Sequence, residues 1–402
     1  MTKVPVMPHA LLDTVAAQAA EFVALRRDIH RHPELGFEEF RTSDLVAERL
    51  ARWGYAVERG LGGTGVVGQL RRGCGPKRLG LRADMDALPI VEATGLPHAS
   101  CHHGVMHACG HDGHTAMLLA AAHHLATQGD FAGTLNLIFQ PAEEGQGGAL
   151  RMMEDGLFAK YPCDAIFAMH NMPGHPPGHL LFRSGAFMAS SENITITLHG
   201  VGGHGALPHH SADPVVAGAA IVMGLQSIVA RNVPPLQMAV ITVGAFQAGE
   251  ANNVIPQTAT LKLSVRSLNR DVRELLNRRI RELVESQAHS YGVRADIDFR
   301  GGYPVLVNTP AETEFARQIG RELVGSDHIT EQAEPLTGSE DFAFMLEDIP
   351  GSYLLIGNGD AATGGHGACM VHNPNYDFED RNIAVGSAYW VRLAERFLDG
   401  TS

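Results

Sequence analysis

The chain has 402 residues, of which 45% are hydrophobic and 19% are charged. A chain of this length can form one large domain or two smaller ones, each with a sizeable core. The formal charge of -13, from 31 basic and 44 acidic residues, argues against nucleic acid and anionic membranes as partners. A small-molecule ligand is therefore the expected partner.

Residues 1–30 have the pattern of a helix with interspersed charges and lack the basic start and compact apolar stretch of a signal peptide. The longest apolar run, residues 215–230, contains glycine and polar residues and is shorter than the ~20 residues that a membrane span requires. The five cysteines are irregularly spaced, which indicates no disulfide framework. These features predict a cytoplasmic protein.

The first half of the chain alternates short apolar runs with helical patterns. The predicted strands are residues 66–70, 79–81, 135–139 and 166–169, and residues 115–126 are a predicted helix. This alternation predicts a mixed or parallel sheet sandwiched by helices. Functional groups of such α/β folds gather in the loops after the carboxyl ends of the strands.

Residues 190–302 have a different pattern, with the order strand, helix, strand, strand, helix, strand. This β-α-β-β-α-β order is that of a ferredoxin-like two-layer unit. After it, residues 352–356 resume strand character and residues 382–398 predict a closing helix. We therefore predict an α/β catalytic domain of residues 1–189 and 303–402, interrupted by an inserted domain of residues 190–302.

Three polar clusters follow predicted strands. They are Asp84 and Asp86 in LRADMDALP, Glu143 and Glu144 in IFQPAEEG, and His170 in FAMHN. Adjacent side chains on a loop usually point apart, so one glutamate can bind a metal while the other accepts a proton. That division of labour suits hydrolysis, in which a metal lowers the pKa of bound water and a carboxylate takes the proton.

A further cluster lies in MHACGHDGH, residues 106–114. Cys109 and His111 are two residues apart, so on an extended segment their side chains point to the same side. Thiolate and imidazole are ligands that suit zinc and its first-row neighbours. The potential ligands are Cys109, His111, Glu144, His170 and His372. Five exceed the three usual at one catalytic zinc, so the sequence predicts two metals that share a bridging ligand.

Eight short motifs of the chain occur in the order found in a known family. They are LRADMDALP, MHACGHDGH, QPAEEG, MHN, GGHGALPH, NNVIP, GSEDFAF and HNPNYDF. In this combination the chain resembles the M20 metallopeptidase-type amidohydrolases, in the branch that contains hippurate hydrolase and the hydrolases of auxin–amino acid conjugates. The resemblance implies an α/β/α zinc-peptidase-like catalytic domain with an inserted ferredoxin-like α+β domain that serves as lid and dimerisation surface.

The resemblance also implies roles for individual residues of the catalytic domain. Two divalent metal ions, with zinc as the leading candidate and manganese, cobalt or nickel as alternatives, would have the ligands Cys109, His111, Glu144, His170 and His372. Cys109 would bridge the two ions, and Glu143 would be the general base. Asp84 and Asp86 would orient the ligands.

In the inserted domain, the resemblance implies that His204 stabilises the oxyanion from the partner subunit of a homodimer or higher homo-oligomer. Asn253 and Arg266 would hold the free carboxylate of the substrate. An arginine suits this task because its planar guanidinium pairs with a carboxylate through two hydrogen bonds.

Most of these residues also have ordinary explanations when taken singly. Cys109 is compatible with a buried thiol or with a nucleophile beside His111. Glu143 and Glu144 could begin a solvated helix, where acids favour the helix dipole. His170 is compatible with a hydrogen-bonded core histidine.

His372 could equally be a loop histidine, and Arg266 a solvent-facing strand residue. His204 could lie in a plain glycine-rich loop. Asn253 could simply turn the chain.

The set as a whole predicts a metal-dependent amidohydrolase of N-acyl-L-amino acids, with hippurate-like and N-acetyl amino acids as leading substrates. The hypothesis is that Glu143 deprotonates a water bridging the two metals, which then attacks the amide carbonyl. The alternatives are a di- or tripeptidase of the same fold, a catalytically inactive metal-binding protein, and a cysteine hydrolase.

Overall fold

The computed structural model describes residues 10–399. Its helices are α1 (Ala10–Ala16), α2 (Ala19–Arg31), α3 (Phe40–Arg52), α4 (His111–Thr127), α5 (Gly148–Glu154), α6 (Leu157–Lys160), α7 (Pro214–Asn232), α8 (Arg270–Ser290), α9 (Pro310–Val324), α10 (Phe342–Asp348) and α11 (Asn382–Leu398).

The strands, also numbered in chain order, are β1 (Ala56–Leu61), β2 (Gly65–Arg72), β3 (Arg78–Asp84), β4 (Gly133–Gln140), β5 (Ala165–Pro173), β6 (Leu180–Leu181), β7 (Gly185–Met188), β8 (Ser190–His199), β9 (Gly203–His204), β10 (Ala239–Ala248), β11 (Val254–Ile255), β12 (Thr258–Ser267), β13 (Arg294–Arg300), β14 (Leu306–Asn308), β15 (Ile329–Thr330) and β16 (Gly351–Gly359).

The chain divides into two compact units. The first contains residues up to Gly185, together with Val307–Glu334 and the segment from Phe344 onward. The second contains Ala186–Leu306 and Pro335–Ala343. The short segment Pro335–Ala343 carries most of the GSEDFAF motif, so this motif belongs mainly to the second unit.

The first unit is built on an eight-stranded mixed sheet with the strand order β1-β2-β4-β3-β5-β16-β6-β15. Strands β4, β3, β5 and β16 run parallel to one another, whereas β1 with β2, β2 with β4 and β16 with β6 pair antiparallel. Helices α2, α4, α9 and α11 contribute buried apolar residues to the same core as the sheet. This architecture confirms the predicted α/β class, and the parallel strands bring their carboxyl ends to one edge.

The central strands form because their sequences are nearly continuous apolar runs, as expected for strands covered on both faces. In β16 all nine residues are buried, and in β4 seven of eight are buried. The closing helix has the predicted bounds, Asn382–Leu398. The predicted helix over residues 1–30 is two helices, α1 and α2, with a turn between them; its first nine residues lie outside the described residues.

The second unit has a four-stranded antiparallel sheet of order β10-β12-β8-β13 with two helices, α7 and α8. Buried residues of both helices and of the sheet form one apolar core. The element order β8-α7-β10-β12-α8-β13 is the ferredoxin-like order that the sequence predicts. A separate two-stranded ribbon, β9 with β11, was not predicted.

Helix α7 is long and apolar enough, by length and composition alone, to cross a membrane, and it is the one such helix among residues 10–399. The core helices of folded soluble domains pass the same test. Here Ala217, Ile221, Leu225 and Ile228 of α7 are fully buried in the core of the second unit. The buried apolar side of α7 therefore packs in the core of its own unit.

Two adjacent glycines after β13 provide a matched test of packing in the second unit. A Cβ atom at Gly302 would lie 1.5 Å from Ser191 O of β8, whereas a Cβ atom at Gly301 would meet no atom within 4 Å. We expect Gly302→Ala to reduce the free energy of unfolding by about 2 kcal/mol or more, because backbone must move. Gly301→Ala should be neutral or slightly stabilising. Urea unfolding followed by circular dichroism measures both, and equal effects would contradict this packing.

Candidate metal centre

The five side chains predicted as metal ligands converge in the first unit. Their ligand atoms fall into overlapping groups, and within each group all atoms lie within 4.8 Å of one another. One group contains Cys109, His111 and His170, and another contains Cys109, Glu144 and His372. Cys109 is common to both groups, and Glu144 also groups with His111 and the adjacent Glu143.

The turn between Cys109 and His111 depends on Gly110, which has a φ of +90°. A Cβ atom at this position would lie 2.3 Å from Asn171 Nδ2 and 2.5 Å from Tyr376 Oη. Glycine therefore satisfies both the conformation and the close approach. Because His111 is the first residue of α4, this turn brings the thiol and the imidazole together at the start of a buried helix.

Hydrogen bonds orient two of the histidines. His111 Nδ1 lies 3.1 Å from Asp86 Oδ1, and His170 Nδ1 lies 2.6 Å from Asn171 O. Both partners are acceptors, so each Nδ1 carries a proton and each Nε2 is the atom available to a metal. His170 Nε2 is 3.3 Å from Cys109 Sγ. His111 Nε2 is buried and has no hydrogen-bond partner among the described residues, as expected of a ligand atom without its metal.

Asp86 links His111 to the loop after β4, because its second oxygen accepts a hydrogen bond of 3.0 Å from the backbone N–H of Glu144. Glu144 Oε1 lies 3.2 Å from His372 Nε2 and 4.0 Å from His111 Nε2. His372 reaches this position with a φ of +67° and a hydrogen bond from its backbone N–H to Ala108 O. Segments distant in sequence therefore meet at Glu144.

The sequence left His114 without a role, although its spacing from His111 places both on one side of α4. His114 Nδ1 is 2.6 Å from Asp84 Oδ1, and its Nε2 accepts a hydrogen bond from the backbone N–H of Asn171. The other oxygen of Asp84 accepts a hydrogen bond of 2.6 Å from Arg82. Because these ring nitrogens and oxygens are already engaged, His114 and Asp84 support the neighbouring ligands.

The charges of the cluster favour a cation. Burial, and then the charge of Glu144, raises the pKa of the Cys109 thiol well above its ordinary range. Burial opposes the imidazolium of His111, but the charge of Asp84 and the hydrogen bond and charge of Asp86 raise its pKa to about 10. A divalent metal fits this donor set, because it would stabilise the thiolate and take the place of the proton on His111.

A buried ion network lies behind the cluster and was not predicted. Arg26 of α2 is fully buried and contacts Asp112, Asp377 and Asp380 at N···O distances of 3.3, 2.7 and 2.6 Å. Asp112 follows His111 in α4, and Asp377 belongs to the HNPNYDF motif. The guanidinium of Arg26 thus joins the start of α4 to the segment that follows the His372 loop.

His204 and Asn253 lie together in the second unit, on the two-stranded ribbon. His204 of β9 pairs with Val254 of β11, and Asn253 O accepts a hydrogen bond from the backbone N–H of Gly205. Both side chains are exposed. His204 Nδ1 accepts a hydrogen bond from Ala206 N–H, which leaves Nε2 as the atom that can meet a ligand.

Arg266 lies on β12 in the second unit and is half-buried. Its Nη1 donates a hydrogen bond of 2.8 Å to Ser339 Oγ, and burial lowers its pKa. No carboxylate of the described part of the chain forms an ion pair with it. The guanidinium can therefore accept an anionic partner from outside the chain.

The fold and the cluster together are those of a metallohydrolase. The chain belongs to peptidase family M20/M25/M40, whose family model matches residues 80–396. Family membership makes the protein a hydrolase. The resemblance drawn from the sequence motifs is thus confirmed.

Similar proteins extend along nearly the whole chain. Hippurate hydrolase of Campylobacter jejuni is 43% identical over 388 residues, covering 96% of this chain and 99% of the relative. IAA-amino acid hydrolase ILR1-like 2 of Arabidopsis thaliana is 38% identical over 387 residues, covering 94% and 85%. A solved Bacillus subtilis structure, a dinuclear metal-binding peptidase of the M20 family, has 32% identity and a TM-score of 0.80, covering 95% of this chain and 99% of that chain.

The double contact of Asp86 predicts an effect on metal affinity. Asp86→Ala removes the acceptor for both His111 Nδ1 and Glu144 N–H, and we expect metal affinity to fall by about 10–100-fold. Competition with a chromogenic chelator measures this. The control Asp164→Ala removes a carboxylate that pairs with Arg78. Arg78 is the first residue of β3, at the end of the strand away from Asp86. Wild-type affinity in Asp86→Ala would contradict the role of this carboxylate.

Proposed function

We propose that this protein hydrolyses the amide bond of N-acyl-L-amino acids and releases a carboxylic acid and an amino acid. The convergence of five ligand-type side chains beside Glu143 in one partly buried cluster carries this proposal. The similarity to hippurate hydrolase over 96% of the chain supports the substrate class. Hippurate-like and N-acetyl amino acids are the leading substrates, and the cytoplasm is the proposed location.

Cys109, His111, Glu144, His170 and His372 would hold two divalent metal ions, with zinc as the first candidate. Cys109 would bridge the ions, since it belongs to both groups of ligand atoms. Bound metals would polarise the amide carbonyl and lower the pKa of water at the site. Asp86 would fix the imidazole of His111, and Asp84 would act through His114.

Glu143 is the proposed general base. It is 6% exposed and precedes the proposed ligand Glu144. Its carboxylate would accept a proton as the water oxygen forms a bond to the amide carbon. It would then return this proton to the nitrogen as the C–N bond breaks, so that one carboxylate completes both proton transfers.

The second unit would bind the substrate's polar ends. Arg266, which has no anionic partner among residues 10–399, would pair with the α-carboxylate, and Asn253 would add a hydrogen bond. His204 would donate from Nε2 to the oxyanion of the tetrahedral intermediate. This assignment follows the family resemblance, and the exposed position of His204 is compatible with a contribution from a partner subunit.

A homodimer formed through the second unit is part of the proposal. Strand β10 is an edge strand of its sheet, so one row of its backbone groups has no partner strand in the described part of the chain. Exposed apolar side chains lie on β10 and on α7, namely Val240, Phe246, Val216 and Met223. Pairing of two β10 edges would satisfy the backbone groups and cover apolar surface.

The cysteine-hydrolase alternative is weakened by the state of Cys109. A nucleophilic cysteine requires a lowered pKa, whereas burial and the nearby carboxylates raise the pKa of this thiol. A dipeptidase of the same fold remains the rival in substrate class. It differs in requiring a free α-amino group on the substrate.

A substrate panel tests the proposal. Protein stripped with a chelator and reloaded with zinc, manganese, cobalt or nickel would be assayed on N-benzoyl, N-acetyl and indole-acyl amino acids and on dipeptides. We expect metal-restored release of amino acid from acyl conjugates and no cleavage of dipeptides. Glu143→Gln should lower kcat by roughly 100–10,000-fold with metal content unchanged. Activity without metal would support the cysteine alternative, and preference for dipeptides would support the peptidase.

The role proposed for Arg266 has its own test. Arg266→Ala should raise KM for substrates with a free α-carboxylate by roughly 10–100-fold, because a charge-assisted pair is lost. Substrates in which this carboxylate is amidated should be affected much less. The control Lys262→Ala removes an exposed cation four residues earlier on the same strand. Equal losses on both classes of substrate would show that Arg266 has only a structural role.

A further inference from the structure

The residue before Glu143 has a strained backbone. Ala142 is fully buried and has a φ of +52°, a conformation that is costly for a residue with a Cβ atom. Such a conformation persists only where the surroundings impose it. The side chains of Glu143 and Glu144 leave the backbone immediately after this residue, so the conformation of Ala142 determines where they point.

Glu39 supplies a contact that can impose this conformation. It lies at the start of α3 and is fully buried. Its Oε1 accepts a hydrogen bond of 2.8 Å from the backbone N–H of Ala142, and its Oε2 accepts one of 2.5 Å from Thr64 Oγ1. No lysine or arginine within residues 10–399 pairs with this carboxylate. A buried carboxylate without a cation is expensive, so a purely structural glutamate is unexpected here.

The segment that carries Glu39 is itself anchored next to the metal-binding cluster. The carboxylate of Glu34 accepts hydrogen bonds from the backbone N–H groups of Arg41 and Thr42, which fixes the first turn of α3. The backbone O of Glu34 accepts a hydrogen bond from Ala87 N–H, directly after Asp86. The segment therefore has a fixed position from which to hold a neighbouring loop.

The same segment approaches Ala142 sterically. A Cβ atom at Gly36 would lie 3.0 Å from the Cβ atom of Ala142 and 2.8 Å from Gln146 Nε2. The chain of residues 34–42 thus packs directly on the loop after β4, and a side chain at position 36 would require neighbouring atoms to shift. The close approach shortens the distance that the side chain of Glu39 must span.

We propose that Glu39 is a positioning residue for the catalytic loop, because it holds Ala142 in the left-handed conformation that directs Glu143 and Glu144 into the cluster. Glu39 accepts a hydrogen bond from the backbone N–H of Ala142, the residue before Glu143. Asp86 accepts one from the backbone N–H of Glu144, the residue after it. The inference rests on the function proposed above for Glu143 and Glu144. Glu39 itself touches neither substrate nor reacting atoms.

The tests begin with single substitutions in the metal-loaded protein. Glu39→Ala removes the acceptor, and we expect kcat for an N-acyl amino acid to fall by at least ten-fold with KM within about three-fold. Glu39→Gln keeps an acceptor oxygen for Ala142 N–H and should stay within about three-fold of wild-type kcat. Glu38→Ala, at the exposed neighbouring glutamate, is the matched control.

A double variant separates positioning from general damage to the fold. Glycine adopts a positive φ without the cost that alanine has, so Ala142→Gly reduces the need for the contact with Glu39. We expect Glu39→Ala combined with Ala142→Gly to recover at least half of the kcat of Ala142→Gly alone. An equal loss in both backgrounds would overturn the proposal, and so would wild-type kcat in Glu39→Ala.

Hydrogen–deuterium exchange provides a readout that does not require activity. The amide of Ala142 should exchange at least ten-fold faster in Glu39→Ala than in wild type, and Glu38→Ala should leave it unchanged. If no acyl conjugate is hydrolysed by the wild-type protein, the proposed function fails, while unchanged exchange in Glu39→Ala would overturn the contact itself. If Glu39→Ala does not fold, Glu39→Asp withdraws the carboxylate by one methylene and serves in both measurements.

Discussion

The burial of many ionisable groups in one place is the constraint on which this structure depends. Asp84, Asp86 and His111 are almost completely buried, and Glu143 is nearly so. Groups of this kind are stable in a protein interior only when hydrogen bonds or opposite charges satisfy them. The contacts described around the cluster serve this need, and a bound cation would satisfy His111 Nε2, a buried atom without a hydrogen-bond partner among the described residues.

The sheet topology makes such a concentration possible. Strands β3, β4 and β5 are parallel, so Asp86 after β3, Glu144 after β4 and Asn171 near the carboxyl end of β5 reach the same edge of the sheet. Helix α4 begins at that edge with His111, whose Nδ1 lies 3.1 Å from Asp86 Oδ1. Chemistry that needs several charged groups is therefore assembled from separate segments that meet at the carboxyl ends of the strands.

The sequence was sufficient for five of the eight strands of the central sheet, for the closing helix and for the β-α-β-β-α-β order, because their apolar patterns are local. Motifs were sufficient to select the residues that converge at the cluster. The sequence was insufficient for Arg26 and Glu39, whose partners lie up to 354 and 103 residues away. It also missed the ribbon of β9 and β11, since strands of two residues have no periodicity. The position of Pro335–Ala343 within the second unit likewise depends on contacts far apart in the chain.

The backbone around the cluster is as specialised as its side chains. Three non-glycine residues among those described have a positive φ, namely Phe37, Ala142 and His372. Phe37 belongs to the segment that carries Glu39, Ala142 precedes Glu143, and His372 is itself a proposed ligand. Their shared location matters because strained conformations persist only where neighbouring groups enforce them. Two hydrogen bonds can enforce them here, one from His372 N–H to Ala108 O and one from Ala142 N–H to the Glu39 carboxylate. The positions of the proposed ligands therefore depend on contacts that bind no metal.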